Sequence, residues 1–139
     1  MRIECFFDTN VFLYAASADP ADTGKKAVAQ ALIRDRSHAV SPQVIAEFID
    51  NAGRKARLGI SEERLSAAVE AMLAGVVTVV DTATMESAWA IRRRYGLRIY
   101  DALVVAAARQ AGASLLYSED LNDGQDYGGV RVVNPFSGK

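Results

Sequence analysis

The sequence has one cysteine, Cys5, and one histidine, His38, among 139 residues. A lone cysteine forms no intrachain disulfide, which fits a reducing compartment. One cysteine and one histidine also fall short of the clustered ligands a zinc site needs. Charge of one sign is equally scarce as an excess, because 16 Lys+Arg stand against 17 Asp+Glu for a formal net of -1. No global basic field advertises nucleic-acid binding, so any such binding must rest on a local patch. No run approaches the roughly 18 apolar residues of a membrane span. The N-terminus lacks the basic region, apolar segment and small-residue cleavage site of a secretory signal. The expectation is a cytoplasmic chain with no membrane partner, folded as one domain over residues 1–139.

Against these absences, half of the residues are hydrophobic, and they fall in short, punctuated runs. Ile3 to Phe7 reads as a buried strand, with Cys5 as a core residue and Asp8 delivered to the strand's carboxyl end. Helical spacing follows over Val11–Ala16 and Ala21–Arg34, separated by Ser17-Ala18-Asp19-Pro20, where Asp19 or Ser17 suits a cap. His38–Ser41 reads as a second strand, Gln43–Arg57 and Ser61–Ala74 as helices, and Val76–Val80 as a third strand. Thr82 and Thr84 suit the cap of a helix ending near Gly96. Tyr100–Ala111 is the last helix, followed by strands Ser114–Tyr117 and Val130–Val133. Short apolar strands alternating with helices predict an α/β fold: a mainly parallel sheet of about five strands, covered on both faces in three α/β/α layers.

In a parallel sheet, residues that follow strands share one edge. Asp8 follows the first strand and Asp120 the fourth, while Glu47 and Asp101 reach the same edge from helices. Taken singly, Asp8 and Asp101 serve equally well as helix-end charges, and Glu47 and Asp120 as solvated positions. Taken together, four carboxylates at one edge repel each other unless a cation neutralises them. Mg²⁺ and Mn²⁺ prefer such oxygen ligands, and a carboxylate-held metal supports phosphodiester hydrolysis.

Four segments in order carry a resemblance: Phe7-Asp8-Thr9-Asn10, Glu47 within Ser41–Phe48, Tyr100-Asp101-Ala102-Leu103, and Ser118-Glu119-Asp120-Leu121. With them the chain resembles the PIN-domain ribonucleases and, within that family, the VapC-type toxins of bacterial toxin–antitoxin pairs. The resemblance implies a three-layer PIN-like fold and a metal-dependent endoribonuclease. Asp8, Glu47, Asp101 and Asp120 would be the acidic quartet binding Mg²⁺ or Mn²⁺. Asn10 and Ser118 would support the site. An additional acid, open among Asn122, Asp123 and Asp126, points to Asp123. It also implies an RNA substrate, a cognate VapB-like antitoxin whose tail enters the cleft, and a homodimer. The apolar Val11-Phe12-Leu13-Tyr14 stretch agrees with a dimer, having more apolar surface than a short helix readily buries.

Two basic concentrations, Arg54-Lys55-Ala56-Arg57 and Arg92-Arg93-Arg94 with Arg98 nearby, are candidates for phosphate contacts. Arg98, Arg94 and Arg54 are singled out among them, although solvated helix faces explain the same residues. Tyr95 and Tyr100 suit base stacking or plain packing. Other classes fit less well. A haloacid dehalogenase-type phosphatase would carry a second acid where Asn10 stands. A receiver domain would carry an acidic pair after the first strand, which is missing even though Asp81 imitates its acceptor. The non-enzymatic alternative is a PIN-like scaffold that binds RNA or protein without cutting.

Overall fold

A computed structural model of the chain describes residues 2–138. Its centre is a sheet of five short strands: β1 (Cys5–Phe7), β2 (His38–Val40), β3 (Val76–Val77), β4 (Leu115–Tyr117) and β5 (Arg131–Val133). Their order is β3-β2-β1-β4-β5, and every pairing between them is parallel. Six helices accompany them: α1 (Thr9–Ala16), α2 (Thr23–Asp35), α3 (Pro42–Arg54), α4 (Glu62–Ala74), α5 (Thr82–Tyr95) and α6 (Ile99–Gln110). Helices α1 to α4 pack among themselves, α5 packs chiefly on α6, and α6 lies against β2 and β4. The result is the expected α/β/α sandwich, with a wholly parallel sheet.

The middle strand is the most buried because it is covered on both faces. Cys5, Phe6 and Phe7 are fully buried, and burial pushes the Cys5 thiol up to about 11, so it is an inert core group. Phe7 stacks on His38 at 4.5 Å between ring centroids and packs on Phe12 and Tyr117. His38 is therefore a packing residue of β2.

Several boundaries differ from the sequence expectation for identifiable reasons. The helix expected over Gln43–Arg57 stops at Arg54, and a 3-10 turn at Ala56–Leu58 follows. Gly59 closes that turn at φ 59, where a Cβ would meet the Ala18 side chain at 3.2 Å. Strand β3 keeps two of its five expected residues. It is an edge strand, so Val79 and Val80 have no second neighbour and are exposed. The cap of α5 is Asp81, not Thr82; Thr84 supplies the other half of the capping box. The Val11–Tyr14 stretch lends the expected homodimer no support, because Val11, Phe12 and Leu13 are all buried within the chain. The large exposed apolar side chains among the described residues stand elsewhere, at Ile49, Leu73, Val76, Val79, Val80, Met85, Trp89 and Tyr100.

Candidate metal-binding cleft

The sheet order dictates where a ligand can sit. From β1 the chain crosses to β2 on one side, and β4 and β5 lie on the other. The β1/β4 boundary is the switch point, and a crevice opens there beyond the carboxyl ends of the strands. Asp8 leaves β1 with its backbone N–H donating to Tyr117 O at 3.0 Å, so the two strand ends are locked in step. The Asp8 carboxylate is at once helix cap and cleft residue, one oxygen to each task. Oδ1 accepts from Thr9 N at 2.8 Å, and Oδ2 accepts from Ser118 Oγ at 2.7 Å. Ser118 Oγ also accepts from Asp120 N at 3.1 Å, and Asn10 Nδ2 donates to Asp120 Oδ2 at 3.2 Å. Asn10 and Ser118 thus lie against the carboxylates of Asp120 and Asp8.

Glu47 comes from the second turn of α3, whose start is fixed by Ser41 as N-cap and Pro42 in the first turn. Its Oε1 accepts from Gln43 Nε2 at 2.9 Å, one turn earlier on the helix, and its Oε2 from Thr9 Oγ1 at 3.3 Å. Asp101 lies in the first turn of α6, the end of the helix that favours an acid. Asp8, Glu47, Asp101 and Asp120 all line one cleft of about 400 Å³, together with Asn10 and Thr9.

The electrostatics of the cleft are those of crowded acids. Burial pushes the Asp8 carboxyl up to about 6, against the hydrogen bonds from Ser118 and Thr9; Asp120 and Glu47 push it in the same upward direction. Asp101 is also raised, first by burial and then by Asp120 and Glu47, with the Arg98 guanidinium pulling the other way. Asp120 and Glu47 thus act on both Asp8 and Asp101, and the cleft's acids outnumber its cations Arg54, Lys55 and Arg98.

The donor chemistry fits a hard cation. Carboxylates and an amide carbonyl are the oxygen ligands that Mg²⁺ and Mn²⁺ take, and Asn10 Oδ1 is buried without a hydrogen-bond donor. A cation or its bound water would satisfy that orphan acceptor. Among the described residues, however, no three His, Cys, Asp or Glu side chains stand close enough to enclose an ion by themselves. The acids are arrayed around a cleft, not gathered into a cage. Mg²⁺ suits that arrangement, because it keeps several waters and takes one or two carboxylates from the protein.

The remaining candidates divide. Arg98 and Arg54 line the cleft, joined by Lys55 and Tyr100. Arg54 is partly engaged already, donating to Asp50 Oδ2 at 3.0 Å and Asn51 Oδ1 at 3.2 Å. Arg94 does not line the cleft; its guanidinium lies over the Tyr95 ring, which in turn packs edge-on against Tyr127. Asp123 is likewise absent from the cleft, because its Oδ1 accepts from Asn134 N at 2.8 Å and ties two loops together. Asp126 accepts from Gly129 N in a turn. The additional acid at the cleft is instead Glu119, next to Asp120 in sequence. Sequence reasoning also passed over Thr9 and Gln43, although the four-residue spacing from Gln43 to Glu47 was a visible signal.

The sequence model of the PIN domain matches residues 5–122. Among curated proteins none matches the chain. Solved structures do. VapC20 of Mycobacterium tuberculosis, described as a sarcin-ricin loop cleaving toxin, superimposes with a TM-score of 0.66 at 23% identity, covering 84% of this chain and 90% of that one. A toxin–antitoxin complex from Klebsiella pneumoniae gives 0.69 at 21% identity, covering 96% and 98%. DNA-bound VapBC from Salmonella typhimurium gives 0.62 at 18% identity, covering 94% and 96%.

Proposed function

The chain belongs to the PIN-domain family, and from that premise we propose that it is a metal-dependent endoribonuclease, the toxin of a VapBC-type pair, folded as one domain. The observation that carries the reading is that Asp8, Glu47, Asp101 and Asp120 line one cleft at the switch point of the sheet. Mg²⁺ or Mn²⁺ held there would lower the charge on a phosphodiester and make a bound water a nucleophile. The chain's own residues do the rest. Ser118 Oγ and Thr9 N hold Asp8 as a carboxylate near neutral pH against its burial. Asn10 aims Asp120. Arg98 and Lys55, with Arg54 at the rim, are placed to receive phosphates, and the exposed Tyr100 ring offers a base-stacking face.

The toxin assignment is supported by structural neighbours that are themselves toxins in complex with antitoxins. A partner antitoxin would present a basic side chain to the acidic cleft. RNA in the cytoplasm is the substrate this reading requires, and among the described residues no helix is long and apolar enough to cross a membrane. Purified Asp8→Asn and Asp101→Asn variants are expected to lose RNA cleavage and Mn²⁺ binding by calorimetry while keeping a wild-type circular dichroism spectrum. Full cleavage by either variant sinks the proposal.

The alternative is a PIN-like scaffold that binds RNA or protein without cutting, with the acids of the cleft solvated and no metal held among them. That reading wins if the intact wild-type protein binds no Mn²⁺ at millimolar concentration.

A further inference from the structure

The stretch Ser118-Glu119-Asp120 carries two of the cleft's polar groups, yet its backbone is weakly held. Ser118 N donates to Val133 O at 3.1 Å, and beyond it neither Glu119 nor Asp120 takes a backbone-to-backbone hydrogen bond. Side chains must therefore fix this stretch. Asn10 and Tyr14 are one turn apart on α1 and grip adjacent residues of it. Asn10 Nδ2 donates to Asp120, and Tyr14 Oη donates to Glu119 Oε1 at 2.6 Å. Lys25, from α2, completes the clasp. Its Nζ donates to Tyr14 Oη at 3.1 Å, reaches Glu119 Oε2 at 3.5 Å, and sits 4.6 Å from the centroid of the Tyr14 ring. The ring itself is held edge-on by Phe136 at 4.8 Å between centroids.

We propose that Tyr14, supported by Lys25, is a positioning residue for the cleft: by holding Glu119 it fixes the stretch that presents Ser118 to Asp8 and Asp120 to the metal. The role of Asp120 toward the metal rests on the nuclease reading above. The clasp itself does not, because its contacts are present in the metal-free protein.

Charge separates positioning from simple electrostatics. Tyr14→Phe removes a hydroxyl and no charge, so a loss of Mn²⁺ affinity in that variant cannot come from weaker long-range attraction. Lys25→Met removes a positive charge near an acidic cleft, and electrostatics alone would make it bind Mn²⁺ more tightly. Positioning requires that it bind no better than wild type.

The experiment measures backbone ¹⁵N order parameters at Glu119 and Asp120 in the metal-free protein, and Mn²⁺ affinity by calorimetry. In wild type both residues are expected in the rigid range near ~0.85, falling toward ~0.6 in Tyr14→Phe. The affinity of Tyr14→Phe is expected to fall roughly 3- to 10-fold, less than the full worth of a hydrogen bond to a charged acceptor, because Tyr14 acts on the site through Glu119. In Lys25→Met the order parameters fall by less, with Mn²⁺ bound no more tightly. Wild-type order parameters in Tyr14→Phe, mobile values in the wild-type protein, or tighter Mn²⁺ binding by Lys25→Met would overturn the proposal. A wild-type protein that binds no Mn²⁺ would overturn the nuclease reading alone, with the order parameters still deciding whether the clasp exists.

Discussion

At Asp8 the sequence asks one residue to do opposing things. It ends a buried strand, caps a helix and faces the cleft, and burial raises its carboxyl to about 6 from an ordinary 3.8. Between those two pH values the folded chain keeps a proton that the unfolded chain has released. The contribution of Asp8 to the stability of the metal-free protein therefore falls as pH rises from about 4 through about 6 and is level above that. The carboxylate costs stability at neutral pH that a bound cation would return. Asp8→Asn is accordingly expected to stabilise the metal-free fold by on the order of 1–3 kcal/mol at about pH 7.5, with the gain vanishing near about pH 3.5. Denaturant unfolding at the two pH values checks this. A destabilised variant at the higher pH would mean that the hydrogen bonds to Ser118 and Thr9 outweigh the burial of charge.

At the level of elements, the turns between helices hold the cleft walls, and their chemistry is mixed with that of the basic runs. Arg57 belongs to the Arg54–Arg57 run, yet it is a structural residue. Its Nη1 donates to Asp19 Oδ2 and Asp22 Oδ2, both at 2.9 Å, and so ties the 3-10 turn at Pro20–Asp22 to the one at Ala56–Leu58. Asp22 is buried and also accepts from Ser17 Oγ at 2.7 Å. Without Arg57 that carboxylate loses its charged partner. Arg57→Ala should destabilise the fold by about 1–3 kcal/mol, seen as a lower thermal midpoint, while the RNA dissociation constant stays at the wild-type value. Lys55, two residues earlier, lines the cleft, and its substitution by Ala should act in the opposite way, weakening RNA binding with little change in stability. The basic run is thus divided just past the helix end: Arg54 and the capping residue Lys55 line the cleft, and Arg57, in the turn that follows, is structural.

For the molecule as a whole, a formal net charge of -1 leaves little long-range attraction for RNA. Affinity has to come from the cleft's own cations, Arg54, Lys55 and Arg98. With three phosphate contacts and a coefficient of about 0.7 per contact for single strands, log Kd should change with log salt at a slope of about 2. Titrations of catalytically silent Asp8→Asn with RNA over a range of salt concentrations check that number. A much steeper slope would bring Arg92, Arg93 and Arg94 back as binding residues and place the RNA track across α5.

The local sequence was enough for the architecture. Runs such as Cys5–Phe7 and Leu115–Tyr117 are short, apolar and separated by helical patterns, and only a parallel sheet covered on both faces buries them all. That Asp8 and Asp120 lie at one edge was legible for the same reason, since residues that follow parallel strands share it; Glu47 and Asp101 line the same cleft from helices. What the sequence could not carry was the end of each element and the partner of each side chain. Asp81 capped α5 where two threonines were expected, and β3 stopped after Val77 because an edge strand has one neighbour. Asp123 went to Asn134 and Glu119 to Tyr14, a pairing across 105 positions that no local pattern encodes. Periodicity reports how a segment faces its own sheet or helix. Which carboxylate meets which hydroxyl is set by packing between segments distant in sequence, and only the folded chain decides it.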